Sequence, residues 1–99
     1  MVISREISTD IMKYLQEEKG LSVNDIADAM STSPEFIQFV IDEKLLLTTE
    51  HINAYTDYKD IRFWEFAIEA IPMDHLPPKA RKKVQICKEL TDHIKNHKN

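Results

Sequence analysis

Residues 21–44 read LSVNDIADAMSTSPEFIQFVIDEK, and this stretch decides the fold. Its pattern predicts two short helices that are joined by a tight turn. Ser22 is a favoured residue for capping a helix, and Asp25 three residues later completes a capping-box pattern. Ser33 followed by Pro34 gives the same kind of start signal for the second helix. Apolar residues then recur at helical spacing, which predicts one buried face on each helix.

The joint spacing of Ser22, Ile26, Ala27, Ile37 and Val40 resembles the helix-turn-helix of the Cro/C1-type (XRE-like) DNA-binding regulators. The resemblance covers both helices and extends to about residue 71. It implies an all-α protein with a lambda-repressor-like bundle of five helices, followed here by one additional C-terminal helix. It also implies a transcriptional regulator that binds double-stranded DNA in the major groove as a homodimer on a palindromic operator.

The chain departs from the family pattern where the family contacts DNA. Ser31 stands in the turn where the family usually has glycine, and Val23 stands where it often has glutamine. The remaining contact positions lack the arginine, lysine, asparagine or glutamine that usually reads a purine. These positions fall on Pro34, Glu35, Phe39 and Asp42.

The expectation of DNA binding nevertheless indicates which side chains would contact DNA. On the second helix, Glu35 would accept from a cytosine amine, Gln38 would read an adenine, and Phe39 would meet a thymine methyl group. Phosphate contacts are expected from the residues flanking this helix and from a basic run near the C-terminus. These residues are Asn24, Ser33, Lys44, Arg81, Lys82 and Lys83.

Phe39 has three interpretations, because the helical pattern directs it away from the core. It reads a thymine methyl group, it belongs to an exposed patch for a protein partner, or it is covered by the tail or by a second subunit. The second interpretation leads to an alternative function. The chain would then be a protein-interaction module, antitoxin-like or anti-activator, with weak or no DNA reading. It would bind through Phe36 and Phe39 or through the C-terminal helix.

Charge is divided unevenly along the chain. Residues 1–77 carry six basic and fifteen acidic residues, a net charge of −9, whereas residues 78–99 carry seven basic and two acidic residues, a net charge of +5. DNA affinity depends largely on lysine and arginine that neutralise phosphates. An acidic helix-turn-helix therefore needs positive charge from the tail or from a partner. The basic run suits a salt contact within or between chains equally well.

The sequence predicts three parts: a helix-turn-helix domain at residues 1–71, a proline-rich linker at 72–78 and a basic helix at 79–99. Three prolines in seven residues cannot continue a helix. The last helix carries a narrow apolar seam, which suits packing against its own bundle as well as pairing with a second copy. The seam comprises Ala80, Val84, Cys87, Leu90 or Thr91, and Ile94.

The other elements follow from the same rules. Residues 5–19 form a predicted first helix that Gly20 ends. Thr48 or Thr49 is the expected cap of a fourth helix, and Asp60 is the expected cap of a fifth. Trp64 is expected to fill a large share of the small core.

Composition excludes several classes of protein. The one cysteine, Cys87, allows no internal disulfide and suits a reducing compartment. No signal peptide or membrane-length apolar run is evident, so we expect a cytoplasmic protein without a membrane partner. His93 and His97 are four residues apart but lack a third metal ligand. Without a phosphate loop, hydrolase elbow or zinc spacing, we expect no enzyme activity, no cofactor and no metal.

Overall fold

The computed structural model describes the backbone of residues 1–96 and the side chains of that range except those of residues 91 and 94–96. Within that range the chain forms six α-helices and no extended sheet, which confirms the all-α class. The helices are α1 (Arg5–Lys13), α2 (Val23–Met30), α3 (Pro34–Ile41), α4 (Thr49–Lys59), α5 (Phe63–Ala70) and α6 (Pro78–Asn96).

The first helix has the predicted extent but not the predicted winding. After α1 the chain continues as a π-helical turn at Tyr14–Glu18, in which the Lys19 amide donates to the Tyr14 carbonyl at 3.1 Å. Gly20 then stops the helix at a φ of 64°, as expected of a glycine that ends a helix. The apolar repeat predicts the extent of the helix, but it does not reveal the wider turn.

The N-terminal residues pair with the segment before α4, a contact that the sequence does not predict. Val2 and Thr48 form a single antiparallel bridge, and the Ile3 amide donates to the Leu47 carbonyl at 2.8 Å. The buried Ser8 hydroxyl accepts from the Leu47 amide at 3.2 Å. This serine therefore fixes α1 to the chain between α3 and α4.

The core lies between α1, α2, α3, α4 and α5. Burying apolar surface is the main stabilising contribution in a domain of this size. The largest of the fully buried side chains are Tyr55, Phe66, Ile11, Leu15, Ile26, Met30, Ile37, Leu47 and Ile52. The predicted apolar faces of α2 and α3 are thus turned inward, and α2 packs closely against both α3 and α4.

Helix α5 begins differently from the prediction. Asp60 does not cap α5; it ends α4 in the left-handed region, at a φ of 54°. Aspartate adopts this conformation more readily than most residues, and this explains why α4 stops there. Helix α5 follows Arg62, which makes no side-chain cap. The prediction for Trp64 is also wrong, since this side chain is only half-buried and Phe66 fills the core instead.

Residues 72–78 contain a short 3-10 helix, Met73–His75, and α6 begins at Pro78. Leu76 is buried, so this proline-rich segment lies against the bundle. Helix α6 packs on α5 through its first half, where Val84 is buried. Further along, Leu90 is 58% exposed. Across residues 1–96, no helix combines the length and apolarity needed to cross a membrane.

Candidate functional site

Helix α2 begins with the predicted capping box and is followed by the predicted tight turn. The Ser22 hydroxyl accepts from the Asp25 amide at 3.1 Å, and the Asp25 carboxylate accepts from the Ser22 amide at 3.2 Å. Ser31 ends α2 in the left-handed region, at a φ of 57°. The Thr32 amide donates back to the Ala27 carbonyl at 2.9 Å. These bonds fix the direction in which the chain leaves α2.

Helix α3 begins immediately after this turn. The Ser33 hydroxyl accepts from the Phe36 amide at 3.1 Å, and Pro34 occupies the first helical position. Ile37 is 0% exposed and Val40 is also buried, so one face of α3 is fixed against the core. The opposite face is open. The orientation of α3 is therefore set by the serine caps of α2 and α3 and by the buried stripe of Ile37 and Val40.

The open face of α3 is acidic around an aromatic side chain. Glu35, Gln38, Phe39 and Asp42 recur at the three- and four-residue steps of one helical face, and all four are exposed. Phe39 is 44% exposed, as the helical pattern predicts. Of its three interpretations, burial by the tail within the same chain does not occur. A DNA contact, a protein contact and coverage by a second subunit all remain compatible with this exposure.

The Gln38 amide is already occupied. Its Nε2 donates to Asp42 Oδ1 at 3.1 Å, one helical turn further along α3. A glutamine reads adenine through both a donor and an acceptor on its amide. Gln38 must therefore release Asp42 before it can make that contact, and Asp42 would then face the negatively charged DNA.

Phe36 lies beside this face but is half-buried. Its ring stacks on the His51 ring of α4, with 4.6 Å between the centroids and an angle of 24° between the planes. The His51 Nδ1 accepts from the Thr48 amide at 3.1 Å, which caps α4. Burial lowers the pKa of His51 below its ordinary value of 6.5, so the ring is neutral and able to accept. Phe36 is thus partly a structural residue rather than a freely available contact.

The flanking phosphate candidates are all exposed. Asn24 lies in the first turn of α2, Ser33 precedes α3 and Lys44 follows it. The Ser33 oxygen accepts from Phe36, but its hydroxyl hydrogen remains available to donate to a phosphate. Lys44 is the sole basic residue among residues 21–44, which also contain five acidic residues.

The basic run lies on a different part of the bundle. Helix α6 packs mainly on α5, whereas α3 packs on α1 and α2. Arg81 donates from Nε to the Met73 carbonyl at 3.0 Å and from Nη2 to the Leu76 carbonyl at 3.1 Å. It thereby holds the segment before α6. Lys82 and Lys83 are exposed and have no such bonds.

Metal and thiol chemistry gain no support from the geometry. Within the described part of the chain, no group of three or more histidine, cysteine or acidic side chains is arranged to hold a metal ion. His97 lies outside the described residues. Cys87 is a half-buried free thiol on α6 and lies on the predicted seam.

Two contacts of this surface were not predicted from the sequence, namely the bond of Gln38 to Asp42 and the stacking of Phe36 on His51. Asp42 is recognised as the hydrogen-bond partner of Gln38 only once the two are known to lie one turn apart on the same face of α3. The spacing of four residues is a signal that could have found it. His51 offers no such signal, because its contact with Phe36 joins two helices that only the tertiary fold brings together.

Comparisons with protein-family models, with curated proteins and with solved structures found no match to this chain.

Proposed function

We propose that this protein is a DNA-binding transcriptional regulator of the helix-turn-helix type, in which α3 enters the major groove. The observation that carries the proposal is the two-faced character of α3. Ile37 is fully buried, whereas Phe39, two residues later, is 44% exposed on a helix whose start is fixed by Ser33. A recognition helix needs such a fixed orientation in order to place the same side chains against the base edges each time.

The resemblance to Cro/C1-type regulators supports the same proposal. In that arrangement Glu35 accepts from a cytosine amine and Phe39 packs against a thymine methyl group. Asn24, Ser33 and Lys44 bind phosphates on either side. A homodimer places two α3 helices about one helical turn of DNA apart, which gives a palindromic operator.

The surface around α3 carries little positive charge, so phosphate contacts must come largely from basic residues elsewhere on the protein. The surface around α3 is acidic, so Lys82 and Lys83 of α6 supply phosphate contacts from the same or the second subunit. Each phosphate contact contributes about −0.9 to the slope of log affinity against log salt. Removing both lysines should therefore flatten that slope by up to about 1.8.

The decisive experiment is a titration of the purified full chain against fragments of its own genome, including its own promoter, at two salt concentrations. A tight, selective and salt-sensitive complex supports the proposal and supplies the operator. Phe39→Ala should then relax the preference for thymine at one operator position. Phe63→Ala is the matched control, because Phe63 is similarly exposed, at 49%, but lies on α5.

The basic contribution needs its own pair of variants. Lys82/Lys83→Ala should weaken binding to all sequences alike, whereas Lys13/Arg62→Ala removes the same charge from exposed positions elsewhere. Arg81 is best left unchanged, since its bonds to Met73 and Leu76 hold the segment before α6. If both double variants lose affinity equally, the contribution of α6 is only one of net charge.

A second function is favoured by the bond between Gln38 and Asp42. With its amide occupied and two carboxylates beside Phe39, the open face of α3 suits a basic protein partner. The chain would then be an interaction module. No selective DNA complex at low salt, together with loss of partner capture in Phe39→Ala but not in Phe63→Ala, would establish this alternative.

A further inference from the structure

A cavity of about 240 Å³ lies between the π-helical turn, the end of α4 and the start of α5, away from the open face of α3. Its inner wall is apolar and aromatic, formed by Tyr55, Phe66 and Ile61. The rings of Tyr55 and Phe66 pack at 5.0 Å between centroids, and both residues are buried. The cavity therefore has a rigid floor that belongs to the core of the protein.

Tyr55 lines this cavity, and its hydroxyl has no hydrogen-bond partner in the described part of the chain. The residue is only 2% exposed, yet its hydroxyl makes no hydrogen bond to any described residue. Among those residues, every fully buried side-chain nitrogen or oxygen has a partner, so this unpaired hydroxyl keeps some accessible surface, and Tyr55 is one of the residues that line the cavity. Burial and the nearby Glu69 raise the pKa of Tyr55, which keeps the hydroxyl protonated. The Tyr55 hydroxyl is thus available to donate a hydrogen bond to a ligand.

The rim carries charges of both signs. Lys19 and Lys59 line the cavity together with Glu65 and Glu69, and none of the four forms an ion pair among the described residues. The Lys19 ammonium lies 5.7 Å from the centroid of the Tyr14 ring. Glu69 accepts a hydrogen bond from the Tyr14 hydroxyl, which fixes one carboxylate at the rim.

We propose that this cavity binds a small zwitterion with an apolar body, of the class of an aromatic α-amino acid. The apolar body packs on Phe66 and Ile61. The carboxylate receives the Tyr55 hydroxyl and the Lys59 ammonium, and the ligand ammonium meets Glu65. A small ligand is required, because the volume lies below the range of about 300–1,000 Å³ typical of larger ligands.

This proposal is independent of DNA binding, since none of the cavity residues belongs to α2 or α3. The test is a titration of the isotope-labelled full chain followed by the amide resonances of Tyr55 and Phe66. L-phenylalanine should give saturable shifts. Phenylacetate lacks the ammonium and phenethylamine lacks the carboxylate, so each should bind at least about tenfold more weakly.

Variants assign the effect to the cavity. Tyr55→Phe keeps the ring in the core but removes the hydroxyl, and Lys59→Gln removes one rim charge. Both should weaken L-phenylalanine binding several-fold. Lys13→Gln is the matched control, since this exposed lysine lies outside the cavity and should leave binding unchanged.

Three results would overturn the proposal. The first is a dissociation constant for L-phenylalanine weaker than about 10 mM. The second is equal binding of phenethylamine, which would exclude any recognition of a carboxylate. The third is unaltered binding in both Tyr55→Phe and Lys59→Gln, which would place the ligand elsewhere on the protein.

Discussion

The pair α2–α3 and the C-terminal helix α6 are both amphipathic, but they are held by different means. In α2–α3, each helix start has a serine cap and each inner face is fully buried. Helix α6 has one buried apolar residue, Val84, in its first half, and Arg81 ties it to the preceding segment. The comparison shows that a helix can be well formed and yet be attached to the body by few contacts.

The two regions also differ in charge. Residues 21–44 carry five acidic residues and one lysine, whereas residues 78–99 have a net charge of +5. The well-fixed surface is therefore poorly suited to phosphates, and the basic surface is the less firmly attached. The proposed DNA binding would require the two to act together, which would make the attachment of α6 as important as the shape of α3.

The largest expected effect is at the buried face of α3. Ile37→Ala should lower the free energy of unfolding by about 2–5 kcal/mol, because it leaves a cavity in a closed core. Ile86→Ala, at a 46% exposed position on α6, should cost less than about 0.5 kcal/mol. Urea unfolding of the full chain measures both. Equal losses would mean that α6 is as deeply anchored as α3.

The serine caps should give the next largest effect. Ser22→Ala and Ser33→Ala should each lower the free energy of unfolding by about 1 kcal/mol, because each leaves a helix amide without its acceptor. Ser33→Gly should cost only a few tenths of a kcal/mol. If alanine and glycine at position 33 destabilise equally in urea unfolding, the Ser33 hydroxyl does not stabilise the start of α3.

The attachment of α6 should depend on Arg81 rather than on overall charge. Arg81→Ala removes donors to two carbonyls and should cost about 1 kcal/mol of local stability, whereas Lys82→Ala should cost almost nothing. Amide hydrogen exchange in α6 measures this difference. Matching exchange rates in the two variants would show that Val84 and its apolar neighbours hold α6 alone.

The smallest effect is a pair of opposite pH dependences. His75 Nδ1 lies 2.6 Å from Asp10 Oδ2 and 3.8 Å from Glu6 Oε1, and the bond to Asp10 raises the pKa of His75 above 6.5. Its contribution to stability is complete below pH 6.5 and is lost as the pH rises through the raised value. His51, whose pKa is lowered, contributes above pH 6.5 and loses this as the pH falls.

Proton NMR titration of the two imidazole rings tests this difference directly. Asp10→Asn should bring the pKa of His75 back towards 6.5, although Glu6 and Asp74 still raise it. The pKa of His51 should not change, since its environment is α3 and α4. A parallel change at both rings would indicate a general change of the fold.

The sequence predicted what depends on neighbours in the chain. The Ser22–Asp25 box, the Ser33 and Pro34 start and the exposure of Phe39 all follow from residues within one or two turns. Propensity and periodicity act over this distance, and nothing in the tertiary fold opposes them here.

The predictions that failed depend on competition between neighbouring elements. Asp60 suits the start of α5 and the end of α4 equally well, and the left-handed conformation at the end of α4 prevailed. Trp64 and Phe66 are both aromatic residues on α5, and only the packing against Tyr55 decides which one is buried. The α1 pattern likewise cannot distinguish an α-helical turn from the π-helical one at Tyr14–Glu18.

That π-helical turn gives the first helix one residue more than a regular α-helix would hold there. A π-turn holds one more residue than an α-turn, and each residue of an α-helix rotates the chain by about 100°. Deleting Gln16 would let the helix run on as a regular α-helix, in which Lys19 follows Tyr14 by four residues. Residues four apart lie on the same face of a helix, so Lys19 would stay beside the ring of Tyr14. The turn therefore accommodates one extra residue while the helix keeps the phase with which the chain enters α2.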